Sequence, residues 1–438
     1  MQKKIIAVAG VLLAPALALG QTSTVQIYGA MDASFETVQA DGATPSLNGT
    51  PSNQYTSRGR IASNSSLLGF RGSEKLGGGL TAIFQVENQI SIDGASTSAN
   101  SNNSQTMANG WNLRDTYVGL RGNFGDVRIG YLNPPRRALA ASYSLLPGGT
   151  GDAASLNWMG RVNVGAALSP LTAAGTTGNT FGTTGTGGIG NLVSTIYRSQ
   201  GVGYITPTIG GLHGHIMYTP GENADNAAPG ANTVKRDPSL WNMSLNYAQG
   251  PLVTALSYAE INDFATQAAT AAGLTAIGLN GKNKTKQWLF GASYNLGSAT
   301  TFALIVDNTD VGLGQVAGGN LNVERTHWTL RARHIIGPHE LFAGYVLLGD
   351  NKVSGRALPA GSTYGESGGQ VYKLRYGYNL SKRTQAYAIY TQIRNDKNGI
   401  YEISAISPVL GGGTGGGAGI INAGADPTLI GIGLRHTF

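Results

Sequence analysis

The chain has 438 residues, with 30 Lys and Arg against 23 Asp and Glu, and it contains no cysteine. Charged residues make up 12% of the chain, about half the roughly 25% of an ordinary soluble domain. A nucleic-acid-binding protein clusters its Lys and Arg on one face or in a run, whereas here they are scattered singly or in pairs. The composition therefore argues against nucleic acid as a partner and leaves no disulfide to stabilise the fold.

Residues 1–20 have the pattern of a cleaved signal peptide. Lys3 and Lys4 precede an apolar run that ends in small residues at Ala18 and Gly20. Cleavage after Gly20 leaves residues 21–438 and lowers the formal charge from +7 to +5, with 28 basic and 23 acidic residues. Residues 21–438 contain no run of about 18 apolar residues, which excludes a membrane-spanning helix. We therefore predict an exported protein that crosses a membrane, if it does so, with β-strands.

Apolar and polar residues alternate with a period of two along most of the chain, which is typical of strands with one apolar and one polar face. In segment 371–378 the apolar set is Tyr372, Leu374, Tyr376 and Tyr378. The alternate positions in this segment and in segment 327–333 carry cations, namely Arg331, Arg333, Lys373 and Arg375. Such charges are costly anywhere but in water, so the polar face is predicted to line an aqueous interior.

Sixteen segments show this alternation. In chain order they are 24–38, 61–74, 79–92, 111–123, 125–132, 192–205, 212–219, 240–249, 251–262, 284–296, 298–308, 325–336, 339–349, 369–380, 383–395 and 427–438. Very short connections alternate with long polar ones, as they do in membrane barrels. Strands span a bilayer only when the sheet closes and leaves no edge. We predict an all-β fold, in which residues 21–438 form one 16-stranded antiparallel transmembrane β-barrel.

Several motifs resemble a known family. They are residues 65–80 (SSLLGFRGSEKLGGGL), 81–87 (TAIFQVE), 114–120 (RDTYVGL), 378–384 (YNLSKRT) and 433–438 (GLRHTF). Together they are similar to those of Gram-negative general porins of the beta-proteobacterial type, in the expected order along the whole mature chain.

The resemblance implies several further properties. These are a homotrimer in the outer membrane, surrounded by lipid and lipopolysaccharide, with both termini in the periplasm and a long third loop, approximately 134–191, folded into the lumen. Phe438, with Leu434 and Ile432 on its face, resembles the C-terminal signature that the outer-membrane barrel assembly machinery recognises. The implied function is passive diffusion of small hydrophilic solutes and inorganic ions.

The resemblance also implies basic residues on the barrel wall at mid-height. Arg114 matches one such position, and Arg198 matches a second more loosely. At a third position this chain has Leu67 where the family has arginine. Arg60 is a poor substitute, because seven residues of extended strand cover roughly 23 Å. Glu87 lies on the interior face of its predicted strand and is expected to oppose the basic wall.

The predicted third loop is itself basic. It carries Arg136, Arg137 and Arg161 against one acid, Asp152. Fixed positive charge concentrates anions near it over a screening distance of about 8–10 Å, so we predict a mild anion preference. The alternative for each charge, and above all for the four cations of segments 327–333 and 371–378, is a solvated wall residue with little effect on selectivity.

Other chemistries have weaker support. Ser367 lies in a G-x-S-x-G match, but no helix is predicted after it, as a hydrolase nucleophile requires. His213 and His215 are too few for a metal site, and no cofactor is expected. A substrate-selective channel and a β-barrel adhesin remain open as alternatives to a general, non-enzymatic channel.

Overall fold

The computed structural model describes residues 23–42, 55–90, 92, 114–146, 198–221, 239–262, 283–313, 321–355, 365–399, 401, 403 and 424–438. The described strand segments form a single antiparallel sheet of eighteen segments. They are β1 (Ser23–Asp41), β2 (Tyr55–Ser63), β3 (Leu67–Gly77), β4 (Leu80–Gln89), β5 (Thr116–Gly122), β6 (Gly125–Leu132), β7 (Ser199–Ile205), β8 (Leu212–Pro220), β9 (Ser239–Gln249), β10 (Leu252–Asn262), β11 (Asn283–Leu296), β12 (Thr300–Leu313), β13 (Leu321–Ile336), β14 (His339–Leu348), β15 (Lys352–Gly355), β16 (Gly369–Asn379), β17 (Thr384–Asn395) and β18 (Asp426–Thr437).

Two pairs of these segments, β2 with β3 and β14 with β15, are each the two halves of one interrupted strand. β1 pairs with β3 over its first half and with β2 over its second half, and β13 pairs in the same way with β14 and then β15. The eighteen described segments therefore make sixteen strands, as the alternation predicted. β1 also pairs with β18, from Ala30–Thr437 to Asp41–Asp426, so the sheet closes into a barrel without an edge.

The first predicted hairpin is more irregular than expected. The sequence indicated one strand over 61–74, whereas the structure has β2 and β3 separated at 64–66, where Ser65 has φ +60°. The neighbouring side chains bind inside the barrel. Asn64 Nδ2 donates to the Tyr387 hydroxyl at 2.9 Å, and Ser66 Oγ donates to the Asp32 carbonyl at 3.1 Å. These bonds replace the ladder bonds that are lost at the break.

The two faces of the sheet differ sharply. On β9 and β11 the side chains of Trp241, Met243, Trp288 and Phe290 are exposed, while Leu289 between the last two is fully buried. The exposed face is apolar, so it suits lipid, and the alternate positions point into the barrel. Within the described residues no helix is long and apolar enough to cross a membrane.

Several strands extend beyond the predicted segments. β12 and β13 pair from Thr300–His334 to Leu313–Leu321, whereas the alternation marked only 298–308 and 325–336. Beyond the apolar band the outward face becomes polar, and Lys284 binds Glu260 there at 2.8 Å. The interior face stays partly apolar here, since Val311 pairs with Val323 and both are buried, but the polar outward face removes the alternation that marked a membrane strand.

One helix, α1 (Pro135–Ser142), follows β6 in the described part of the chain. A proline at its start loses no hydrogen bond, because the first N–H groups of a helix have no partner within it. Arg136, Leu139, Ala140 and Tyr143 recur at helical spacing and are all buried. The three apolar members of this face pack against interior residues of β10, β11 and β12, namely Ala255, Leu289, Ala303 and Ile305. The helix therefore lies on the inner wall.

The C-terminus joins the first strand. The Phe438 backbone exchanges hydrogen bonds with Gly29, at 3.0 and 3.1 Å, and its ring lies against Gly29 on the exposed face of β1. The chain end thereby completes the β1–β18 seam. Recognition of Phe438 by the assembly machinery stays a prediction.

Candidate functional site: the charged interior of the barrel

The first charged cluster joins β4 to the segments that precede β5 and β7. Arg114 Nε donates to Glu87 Oε1, and Arg198 Nε donates to Asp115 Oδ1. Arg198 Nη2 lies 3.9 Å from the same Glu87 oxygen, and the Tyr28 hydroxyl donates to Glu87 Oε2 at 3.0 Å. The pairing of β4 with β5 brings the two halves of this cluster together.

This geometry changes the expected role of Glu87. The sequence placed it across the lumen from a basic wall, but it binds Arg114 directly, on the same wall. With Asp115 also present, the cluster has two cations and two anions and no net formal charge. Opposite charges in contact cancel at longer range, so the transverse field expected from separated charges is largely lost here.

Leu67 lies on the interior face of β3, between Ala30 of β1 and Gln89 of β4. Arg60 does not replace the missing charge, because it binds Glu36 on the neighbouring strand, with Nη2 2.7 Å from Oε2. Among the residues that the structure describes, no basic side chain takes the place of the family arginine in this part of the wall.

A buried ion triad fixes the start of the predicted third loop. Arg136 binds Asp307 of β12, and Asp307 Oδ2 lies 3.1 Å from Arg325 Nη1 of β13. The Arg136 backbone N–H donates to Asn242 Oδ1 at 3.0 Å. Because the side chain of Arg136 has no exposed surface and its charge is paired with Asp307, we correct its predicted role from a selectivity residue to an anchor of α1.

The residues after α1 contact a second part of the wall. Arg331 Nη1 of β13 donates to the Ser144 carbonyl at 2.8 Å, and Arg333 Nη1 donates to the Leu145 carbonyl at 3.5 Å. Leu146 is buried in an interior apolar cluster with Phe342 of β14. Residues 135–146 thus contact interior side chains from β9 to β14. Residues 147–191 of the predicted loop, with Asp152 and Arg161, lie outside the described residues.

The four cations of segments 327–333 and 371–378 face the barrel interior, on the side opposite the exposed Leu330 and Leu374. Arg331, Lys373 and Arg375 are each at most 4% exposed, so they are not the solvated wall residues of the alternative interpretation. Arg375 binds Glu340 Oε1 at 2.9 Å and Gln385 Oε1 at 2.6 Å. Arg137 is half-buried.

The other candidate chemistries find no support in the described part of the chain. Ser367 is buried, its Oγ accepts the Asn351 N–H at 2.9 Å, and strand β16 rather than a helix follows it. His213 and His215 share the interior face of β8, and among the described residues no group of three potential ligands could hold a metal ion.

Sequence reasoning missed Asp115, Asp307 and Tyr28, although a signal existed for each. Asp115 directly follows Arg114 in its motif. Asp307 and Tyr28 occupy interior positions of alternating segments, where a polar side chain indicates a partner inside the barrel. The pairing of Asp307 with Arg136 had no signal, because it depends on the path of α1 along the wall.

A closed sheet with an apolar outer face and a charged interior defines the class of transmembrane β-barrel channels. The family model for Gram-negative porins matches residues 5–398. The chain therefore belongs to the Gram-negative porin family, and the protein is an outer-membrane channel. This confirms the predicted family, the sixteen-stranded fold and the outer-membrane location.

Individual relatives agree with this assignment. The chain is 27% identical, over 441 residues and the full length of both sequences, to outer membrane porin protein 32 of Delftia acidovorans. It is 28% identical over 224 residues, about half of each chain, to major outer membrane protein P.IB of Neisseria gonorrhoeae. The fold is that of the anion-selective porin from Comamonas acidovorans, with a TM-score of 0.62 over 95% of this chain and 100% of that one, at 24% identity.

Proposed function

We propose that the porin conducts small hydrophilic solutes and inorganic ions by passive diffusion, with a mild preference for anions and without a catalytic step. One observation carries the anion preference. Among the described residues, Arg331 and Arg333 lie on the interior face with hydrogen bonds only to backbone carbonyls, and neither has a carboxylate within ion-pair distance. Two uncompensated positive charges therefore remain on the β13 wall.

The remaining interior charges explain why the preference is mild. Arg114 and Arg198 are paired with Glu87 and Asp115, and Arg375 is paired with Glu340. Paired charges contribute little to the potential along the pore, whereas no paired carboxylate cancels the charge of Arg331 or Arg333. The anion selectivity named for the Comamonas relative is in keeping with this proposal.

The third loop is part of the same proposal. We place residues 134–191 in the lumen as the constriction, which is supported by the contacts of α1 and of Ser144, Leu145 and Leu146 with the inner wall. The proposal includes cleavage of residues 1–20, supported by their signal-peptide pattern, and assembly as a homotrimer, recognition by the barrel assembly machinery and contact with lipopolysaccharide, supported by family membership. Mass spectrometry of the purified porin, for its N-terminus and its oligomeric mass, tests the first two.

The test of selectivity is a reversal potential in a planar bilayer that separates two KCl concentrations. We expect the wild type to show anion preference and the double variant Arg331→Gln/Arg333→Gln to lose it. The control is Arg394→Gln, which removes one positive charge from the exposed face of β17 and should leave the reversal potential unchanged. Cation preference in the wild type, or an unchanged reversal potential in the double variant, would contradict the proposal.

A further inference from the structure

One edge of the Arg331 guanidinium is unusual. Its Nη1 donates to the Ser144 carbonyl at 2.8 Å, whereas Nε and Nη2 are buried without a hydrogen-bond partner. These two nitrogens form the side of the guanidinium that presents two parallel N–H groups. Buried donors without an acceptor are unfavourable, so this edge is suited to a ligand with acceptor oxygens.

The chemistry of the edge points to a carboxylate. Two parallel N–H groups match the two oxygens of a planar carboxylate, which gives the strong bidentate pair typical of arginine. A spherical anion such as chloride cannot satisfy both donors with the same geometry. The edge therefore offers recognition as well as charge.

The cross-strand neighbours of Arg331 are small, and a second cation lies close by. Its direct cross-strand neighbours are Ala303 of β12 and Gly344 of β14, and neither carries a polar side-chain group. The Phe342 ring lies 5.9 Å from the Arg331 Cζ atom and offers an apolar surface beside it. Arg333, one interior position along β13, also has a buried Nε without a partner.

We propose that Arg331, assisted by Arg333 and the Phe342 ring, forms a binding site for organic carboxylates on the inner wall under residues 144–146. The solute class is a monocarboxylate with a small apolar body, which the ring accommodates. Because the edge is buried, binding requires the side chains that cover it to shift. The proposal rests on the proposed anion preference and gives it a preferred kind of solute.

The experiment measures block of the KCl current by benzoate across a planar bilayer that contains the purified porin. We expect concentration-dependent block in the wild type. Arg331→Lys keeps the charge but cannot form the bidentate pair, so the half-blocking concentration should rise about tenfold, a difference in binding free energy of roughly 1.4 kcal/mol. The control is Arg394→Gln on the exposed face of β17, which should leave both the KCl reversal potential and the benzoate block as in the wild type.

A second variant tests the site without changing Arg331. Gly344→Asp places a carboxylate directly opposite Arg331, and the nearest atoms to an added Cβ there belong to the Phe342 ring edge, at 3.2 Å, and to Lys373, whose Cβ lies at 3.6 Å. The new side chain should occupy the edge and abolish benzoate block. Unchanged block in both Arg331→Lys and Gly344→Asp would overturn the proposal. Stronger block of the wild type by inorganic phosphate than by benzoate would also overturn it, because it would indicate a general anion site.

These outcomes are separate from failure of the proposed function. The KCl reversal potential of the wild type alone decides the anion preference. A porin that prefers anions but shows no benzoate block refutes only the carboxylate site.

Discussion

The ring of Tyr143 lies directly over Gly291 on the inner wall of β11, so closely that a Cβ at Gly291 would overlap it. Tyr143 is only 2% exposed and belongs to the cluster that holds α1. The absence of a side chain at Gly291 therefore determines where Tyr143, just after α1, rests on the wall.

We predict that Gly291→Ala displaces Tyr143 and, with it, the segment that follows α1. Overpacking of this kind costs about 1–3 kcal/mol, and single-channel conductance should change because the start of the loop moves. Tyr143→Leu removes the ring, so Gly291→Ala should be tolerated in that background. The effects of the two substitutions on stability should therefore not add. Gly365→Ala, where an added Cβ meets nothing within 4 Å, is the control. Additive effects of the two variants on unfolding would contradict the prediction.

The buried triad gives a stability prediction. Asp307→Asn leaves Arg136 and Arg325 buried without their shared carboxylate, which should destabilise the barrel by about 3–5 kcal/mol. Asp126→Asn is the matched control, because Asp126 binds Arg121 and Arg128 at 2.7 and 3.0 Å while Arg121 is 54% exposed. Such a pair is worth about 0–1 kcal/mol. Urea unfolding in detergent measures the free energy of unfolding of both variants. Equal losses of stability in Asp307→Asn and Asp126→Asn would show that the triad does not anchor the fold.

The sequence predicted the barrel well because alternation reports directly which face of a strand meets lipid. Trp241, Met243 and Leu245 lie outside, as predicted, and the polar residues between them lie inside. The same signal fails for the break at Ser65, because the bonds of Asn64 and Ser66 that permit the break come from strands distant in sequence. Local pattern contains no information about such partners.

The interior site was predictable only in part. Alternation placed Arg331, Arg333 and Glu87 on the interior face, but it could not say which charges pair. Pairing decides function here, since the ion pair with Glu87 neutralises Arg114, whereas Arg331 and Arg333 bind only carbonyl oxygens. The family motif identified Arg114, alternation identified Arg331 and Arg333, and only the three-dimensional contacts distinguish the neutralised arginine from those that retain their charge.

Asp396, just after β17, predicts how stability depends on pH. Burial raises the pKa of its carboxyl above the usual value, and the nearby carboxylates of Asp350, Glu366 and Asp426 raise it further. The folded protein therefore binds this proton more tightly than the unfolded chain does. Its contribution to stability is present at low pH and is lost as the pH rises through the raised pKa.

Asp396→Asn removes the charge that is unfavourable in the folded state. We expect the variant to be more stable than the wild type at pH 7, and the difference to shrink as the pH falls below the raised pKa. Thermal unfolding between about pH 4 and pH 8, a range that starts near the ordinary Asp pKa of about 3.9, measures this. Lys397→Gln, one residue away, is the control for a local change of charge. If Asp396→Asn raised the stability equally at both ends of this pH range, titration of the Asp396 carboxyl would be ruled out.

Glu87 gives the sharpest test of how pairing controls selectivity. Glu87→Gln removes the carboxylate that neutralises Arg114 and leaves a net charge of about +1 on a cluster near the pore. A unit charge acts on an ion 8 Å away with about 0.5 kcal/mol in water, which corresponds to roughly a twofold rise in local anion concentration. The KCl reversal potential should therefore shift further toward anions in this variant.

Removing Arg114, the ion-pair partner of Glu87, should shift the reversal potential in the opposite direction. Arg114→Ala leaves Glu87 with Tyr28 and with Arg198 at 3.9 Å, so the reversal potential should shift toward cations by a similar amount. Glu324→Gln removes the same charge as Glu87→Gln from the exposed face of β13 and should leave the potential unchanged. If Glu87→Gln and Arg114→Ala shifted it in the same direction, or if Glu324→Gln shifted it as much as Glu87→Gln, the cluster would not be part of the conducting path. Opposite shifts with a silent control require that both residues face the ions that pass, because exposed charges more than a Debye length away are largely screened.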